Sequence, residues 1–225
     1  MRQTARLVRA AVAAKNLDGS SVGVIGGSFK GMGDFLVDSK ELKKTFGIKL
    51  LEADNHELRT LLSSVSDSEV AAELAENEQK FAKGEDINEE NYLYNIKACL
   101  AVRKWIEKHN LDAFSVNFLK IRDKTIDSMP FIEACKAMER GIGYAGEGDA
   151  LTAAFVGAFL KVIPDTSFIE IFCPDWKNDL LFISHMAEMN YGVADGKPIL
   201  YNMPFDYNDT ARDTVAAYSR FKGGK

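Results

Sequence analysis

Short apolar, β-branched runs alternate with stretches of helical period through residue 140, and after that the pattern changes. Ser21–Ile25 is apolar and ends at Gly26-Gly27, the signature of a buried strand feeding a turn. Asp38-Ser39-Lys40-Glu41 opens a helix that runs to Phe46 and stops at Gly47, and 48–53 reads as a second strand. Across 66–109 the residues Val70, Leu74 and Phe81, then Tyr94, Ala98, Ala101 and Trp105, recur at helical spacing around a polar break at Lys83-Gly84-Glu85-Asp86. The acidic residues between 67 and 90 are read as a solvated face. The segment 113–118 is the next strand and 131–140 the next helix. A further helix is expected over 147–160, with Gly146 to Asp149 at its start. Beyond it, 167–172, 180–183 and 198–201 read as strands with no helix between them.

Alternating strands and helices predict an α/β fold, a doubly wound, mostly parallel, Rossmann-like sheet, followed by the start of a β-rich domain. The boundary is placed at Val162-Ile163-Pro164, giving an α/β domain over 1–162 and a partial β-rich domain over 163–225. With 225 residues, 46% of them hydrophobic, the chain can supply a sizeable core. A net charge of −5 offers no basic footprint, which disfavours nucleic acid as a partner. No apolar run approaches the ~20 residues of a membrane span, so a membrane is not expected either. Cys99, Cys135 and Cys173 are odd in number with no C-x-x-C pair, which suits reduced thiols in a cytoplasmic protein; all three are read as small buried hydrophobes. Arg2, Arg6, Arg9 and Lys15 stand among the first 17 residues without an acid, and are read as a basic amphipathic helix rather than a targeting segment.

The glycines at 26, 27, 31 and 33 fit neither G-x-G-x-x-G nor the Gly-Lys-Ser/Thr phosphate loop, so a nucleotide is not expected there. Their loop still follows a strand, where α/β sheets bind ligands. Three later stretches offer chemistry: Glu147 between glycines, Glu170 closing Thr166-Ser167-Phe168-Ile169, and His185 after Leu180 to Ser184. Two carboxylates and an imidazole are O, O and N donors for a hard or borderline divalent metal. Singly, each has an ordinary structural reading as a helix cap, a solvated strand end or a core histidine. A helix start at Glu147 would favour its charged form through free backbone N–H groups and the helix dipole. Glu188 is read as a surface residue, with orientation of the imidazole as the alternative. His56 and His109 are read as surface histidines.

Taken in order, Gly-Glu-Gly-Asp at 146–149, Thr-Ser-Phe-x-Glu at 166–170 and Ser-His-Met-x-Glu at 184–188 resemble the L-arabinose/L-fucose isomerase family, the arabinose isomerases more closely. The resemblance extends upstream through Ile25-Gly26-Gly27, Gly31-Met32-Gly33-Asp34, Phe46-Gly47-Ile48 and Leu111-Asp112-Ala113-Phe114. It implies a metal-dependent aldose–ketose isomerase in which Glu147, Glu170 and His185 bind a divalent metal, usually Mn2+. It also implies that Glu147 and Glu170 exchange protons with the sugar, that Met32 and Phe118 lie beside it, and that the complete protein is a homo-oligomer. Which glutamate takes the first proton is left open, as is the choice between L-arabinose and L-fucose. Members of the family carry a further domain before this region and a fourth ligand, a histidine, beyond it. No histidine follows His185 here. The expectation is therefore a central domain with part of a C-terminal domain, possessing little isomerase activity alone. A non-catalytic sugar-binding module and a domain that mainly makes subunit contacts are the competing readings.

Overall fold

The computed structural model describes residues 2–33, 35–121, 125–207 and 211–223; Asp34 of the glycine-rich stretch lies outside the described residues. Helix α1 (Arg2–Leu17) leads into β1 (Ser21–Ile25), α2 (Ser39–Phe46), β2 (Lys49–Glu52), α3 (Asn55–Ser63), α4 (Asp67–Lys80), β3 (Ala82–Lys83) and α5 (Glu89–Lys108). Then follow β4 (Ala113–Val116), α6 (Phe131–Glu139), β5 (Gly143–Gly146), α7 (Ala150–Leu160), β6 (Glu170–Asp175), β7 (Leu180–Ser184), β8 (Ile199–Met203) and β9 (Thr214–Tyr218).

Four strands form a parallel sheet in the order β2-β1-β4-β5, with Val22 opposite Ala113 and Ala113 opposite Gly143. The pleat sends alternate residues to opposite faces. On one face Gly23 lies under the Trp105 ring of α5, and on the other Gly143 lies against α7. Helices on both faces bury β4 and β5 completely, which makes this a doubly wound α/β sheet. The C-terminal strands are different: β8 pairs antiparallel with β9 and parallel with the two-residue β3, while β6 and β7 form an antiparallel hairpin. Strand β9 packs on α5 and α6, burying Val215, Ala216 and Ala217. The hairpin leaves Ile171, Phe172, Trp176, Leu180 and Phe182 in solvent.

Several expectations change. Gly143–Gly146 is a strand although its composition, Gly-Tyr-Ala-Gly, has little β propensity; pairing with β4 and the cover of α7 override it. Helix α7 begins at Ala150 rather than 147, because the Asp149 side chain accepts from the Thr152 N–H at 2.9 Å and caps it there. The polar break after α4 holds β3, set by β8. Cys173 is exposed in the hairpin, whereas Cys99 and Cys135 are buried.

The α7–β5 contact is between backbones. A Cβ on Gly143 would stand 2.2 Å from the Ala153 carbonyl oxygen and 2.4 Å from the Gly157 nitrogen. Only glycine at this crossing lets the helix settle on the strand. Gly143→Ala is therefore expected to cost ~1–3 kcal/mol or more, read from the urea unfolding midpoint.

Beneath α4, α5 and α6 lies a buried ion cluster, and one of the acidic residues read as a solvated face belongs to it: Glu73 is 4% exposed. Arg103 grips Glu73 with both terminal nitrogens at 2.7 and 2.9 Å and also binds Glu133, while Lys136 reaches Glu73 at 2.6 Å and Glu76 at 2.9 Å. Arg140 completes it on Glu133. Burial works to raise the Glu73 pKa, but Arg103 and Lys136 overcome it and hold it at about 2. For Glu133 burial wins and pushes the pKa up, against Arg103 and Arg140. A depressed carboxylate stabilises the fold above its unfolded pKa, here 4.5, and loses that contribution as pH falls toward 2. Wild type is expected to exceed Glu73→Gln by about 3 kcal/mol at neutral pH, the gap closing between those two pH values in urea titrations.

Candidate functional site

The carboxyl ends of β1, β4 and β5 meet at one edge of the sheet, and hydrogen bonds lock their loops together. After β1, Gly26 and Gly27 turn with φ of 83° and 70°. The Phe29 N–H donates to the Glu147 carbonyl at 3.0 Å, and the Ser28 hydroxyl donates to the Gly148 carbonyl at 2.9 Å. From β4, Ser115 Oγ accepts from the Gly148 N–H at 2.9 Å and donates to the Ala145 carbonyl at 2.6 Å. Gly148 has φ of 81°, and a Cβ there would stand 2.3 Å from the Gly27 carbonyl oxygen. The glycine-rich loop thus serves as the backbone neighbour of the turn that carries Glu147.

The hairpin supplies the other side. Antiparallel pairing sets Glu170 opposite Ser184, so His185 emerges next to Glu170. His185 Nε2 lies 4.0 Å from Glu170 Oε2. Its Nδ1 lies 2.9 Å from Glu188 Oε2, and the Tyr144 hydroxyl donates to the other oxygen of Glu188. Phe168 packs edge-on to the imidazole at 4.7 Å.

Glu147, Glu170, His185 and Glu188 line one cavity of about 130 Å³, with Phe118, Phe131, Phe205, Tyr207 and Met186 among its other walls. Four of the five residues singled out by sequence, Glu147, Glu170, His185 and Phe118, thus come together. Met32 does not: it is 44% exposed and does not line this cavity. Glu188 is 3% exposed, not a surface residue. Its spacing of three from His185 is the signal that could have found it. Tyr144 carries no such signal, since β5 is not recognisable as a strand from its residues, and Cys135, on α6, reads only as a small buried hydrophobe.

Burial raises the Glu147 pKa, the charge of Glu170 adds to this, and His185 opposes it. The dipole expectation for Glu147 fails because the helix starts three residues later and Asp149 takes its cap. For His185, burial disfavours the cation, but Glu188 and Glu170 outweigh it and the pKa is raised. Three carboxylates around one imidazole leave the cavity with an excess of negative charge that favours a cation.

Two ligands of one ion, each ~2–2.6 Å from it, are separated by no more than roughly 4–5 Å, and Glu170 and His185 stand within that span. Among the described residues no group of three His, Cys, Asp or Glu side chains stands ready to hold an ion as placed. Glu147, Glu170 and His185 would have to draw closer together to share one. The donor chemistry fits: Nδ1 lies 2.9 Å from Glu188, which leaves Nε2 for the cavity that His185 lines.

Backbone strain collects here as well. Among the described non-glycine residues Asn110, Asp127 and Asp179 have positive φ but are of the types that tolerate it; the two others, Glu147 at 63° and Ala187 at 95°, both stand at or beside this site. Cys135 on α6 holds the second, its thiol donating to the Ala187 carbonyl at 3.4 Å and accepting from the Met189 N–H at 3.3 Å.

Fold and site together define an α/β protein with a carboxylate–imidazole cavity at the carboxyl edge of a parallel sheet. The family model of the L-arabinose isomerase central domain matches residues 37–165, more than half of the chain, and the chain belongs to that family. It is similar to L-arabinose isomerases of Serratia proteamaculans, 30% identical over 66% of this chain and 32% of the relative, and of Pediococcus pentosaceus, 28% identical over 64% and 32%. The protein from Erwinia tasmaniensis is 29% identical over 72% of this chain and 35% of its own length. The matches span about a third of these curated relatives. Among the described residues no helix is long and apolar enough to cross a membrane.

Left-handed backbone costs a side-chain-bearing residue ~1–2 kcal/mol, and glycine escapes it. Glu147→Gly is expected to be more stable than Glu147→Gln by on the order of 1 kcal/mol in urea unfolding, since only the former relieves the turn.

Proposed function

We propose that this chain forms the metal-binding part of the sugar site of an aldose–ketose isomerase acting on an L-sugar such as L-arabinose or L-fucose. The observation that carries the reading is His185 Nε2 at 4.0 Å from Glu170 Oε2, in the cavity that Glu147 also lines, with Nδ1 2.9 Å from Glu188 Oε2. Glu147, Glu170 and His185 would hold the ion, and manganese suits this mixture of oxygen and nitrogen donors. A bound divalent cation supplies charge that polarises the sugar oxygens at C1 and C2.

The residues of the chain do the rest. Isomerisation takes a proton from C2 of the aldose and returns one to C1, and a carboxylate within reach can carry it. Of the carboxylates named as lining the cavity, Glu147 and Glu170 are the two not held by the Tyr144 hydroxyl. Burial and the neighbouring charge favour the protonated form of Glu147, which fits it to donate. Phe118 packs on Tyr207 at 4.6 Å, and Phe205 on Tyr207 at 5.2 Å, rings inclined by 60° and 62° that together form an aromatic wall for the C–H groups of a sugar. By the same family reading the complete protein is a cytoplasmic homo-oligomer. Among the described residues lining the cavity, few side chains besides the carboxylates, His185, Tyr144 and Tyr207 are polar, which leaves few partners for the remaining sugar hydroxyls. Turnover by this chain alone is therefore expected well below ~1 s⁻¹, because positioning is worth ~7–11 kcal/mol of a barrier.

The test is manganese titration, followed by calorimetry or the electron spin resonance of free Mn2+, on wild type and His185→Ala. The variant is expected to bind at least about tenfold more weakly. Equal affinity in the two proteins would sink the assignment. Ketose formation from L-arabinose and L-fucose, followed in parallel, checks the turnover.

A further inference from the structure

We propose that Glu188, held by Tyr144, is a positioning residue that fixes the neutral His185 as its Nδ1–H tautomer and aims the Nε2 lone pair into the cavity. For its purpose this rests on the reading of His185 as a metal ligand; its test does not.

The geometry leaves the proton one good place. Nδ1 stands 2.9 Å from Glu188 Oε2, at ion-pair distance but off hydrogen-bond alignment, and among the described residues neither buried atom has a hydrogen-bond partner, so a small turn of the ring would satisfy both at once. Among the described residues Nε2 has no hydrogen-bond partner, and Glu170 stands at 4.0 Å, beyond hydrogen-bond reach. A proton on Nε2 would strand a buried carboxylate oxygen without a donor and turn two lone pairs toward each other. The carboxylate itself cannot swing away, because Tyr144 donates to its other oxygen. Tyr144 is in turn fixed between Phe114 at 5.0 Å and Phe168 at 6.2 Å.

Two further contacts protect the arrangement. Phe168 sits edge-on at 4.7 Å from the imidazole and restricts its rotation. Cys135 clamps the backbone on either side of Glu188 and holds Ala187 in the left-handed conformation that brings positions 185 and 188 together. Tyr144 lies on β5, the strand that ends in the Glu147 turn. The relay therefore ties the loop bearing His185 to the element bearing Glu147, and sets the two candidate ligands in one frame. A free carboxylate–imidazole pair on the surface would need none of this burial. A buried partner on the distal ring nitrogen is what orients a histidine that must present its other nitrogen.

The experiment uses the metal-free chain labelled with 15N-histidine, whose three histidines are separable by single substitution. Long-range 1H–15N spectra, recorded at a pH of about 9 so that an ordinary imidazole is neutral, are expected to show His185 with a protonated Nδ1 and an unprotonated Nε2. Glu188→Met, similar in volume but with no strong acceptor, is expected to shift His185 toward the Nε2–H form. Glu188→Gln, whose amide oxygen can still accept from Nδ1–H, is expected to restore the wild-type pattern. A merely structural role for Glu188 would leave the tautomer unchanged in Glu188→Met. In manganese titrations Glu188→Met is expected to bind about 10–100-fold more weakly than wild type. Tyr144→Phe, which keeps the ring packing, is expected to give a mixture of tautomers and covers the case in which Glu188→Met fails to fold. An Nε2–H tautomer in the wild type, or an unshifted tautomer in Glu188→Met, overturns the proposal even if manganese binds. The expected tautomers without manganese binding would uphold this positioning and sink the metal reading instead.

Discussion

The site depends on one steric constraint, the backbone contact of α7 with β5. Gly143 and Gly157 face each other across it, and a Cβ on Gly157 would also press on the Asp112 carbonyl oxygen at 2.8 Å. Because no side chain separates them, the helix lies directly on the strand and the connection between them must be tight. That tightness puts Glu147 into a left-handed turn, between two glycines, with Asp149 left to cap the helix. The strain at Glu147 is thus the cost of holding a carboxylate at the sheet edge rather than letting it point to solvent. Ser115 and the loop after β1 then seal the turn by hydrogen bonds, so the glycine-rich segment acts through backbone packing.

The hairpin joins this frame at its base. Most of β6 and β7 stands in solvent, but Glu170 and His185 are at the end where the hairpin meets the domain, and residues 187–189 are gripped by Cys135 of α6. Helix α6 is itself tied to α4 and α5 by the buried cluster of Arg103, Glu73, Glu133 and Lys136. Such a cluster carries a heavy desolvation penalty, and its value lies in having one arrangement that satisfies every member. It leaves α6 little freedom to slide, and the loop around His185 inherits that rigidity.

Electrostatically the cavity is an unfinished balance. Burial first and the Glu170 charge second raise the Glu147 pKa, while for His185 burial disfavours the cation but the neighbouring carboxylates of Glu188 and Glu170 outweigh it, so both groups hold protons more tightly in this negatively charged space. A divalent cation would relieve that charge more completely. Phe118, Phe205 and Tyr207 line the same cavity as these groups, so the proposed sugar ligand would meet both apolar and polar walls there.

Much of this architecture is legible in the amino-acid sequence itself. Strands β1 and β4 show in their runs of Val, Ile and Phe, since a strand buried on both faces has no polar alternation to hide it. Helices α2 and α5 show in their apolar spacing, α2 also in its stop at Gly47. Glu147, Glu170 and His185 are legible as a set because motif order ties them together, although their meeting in one cavity requires the hairpin to pair Glu170 with Ser184. Tertiary structure alone decides the rest. Gly-Tyr-Ala-Gly becomes a strand because β4 and α7 enclose it, and Glu73 becomes a core residue because Arg103 and Lys136 meet it from two other helices. Tyr144 finds Glu188 across 44 residues. Local sequence encodes what one segment buries; which polar partners meet is set by how distant segments pack, and no local pattern carries that information.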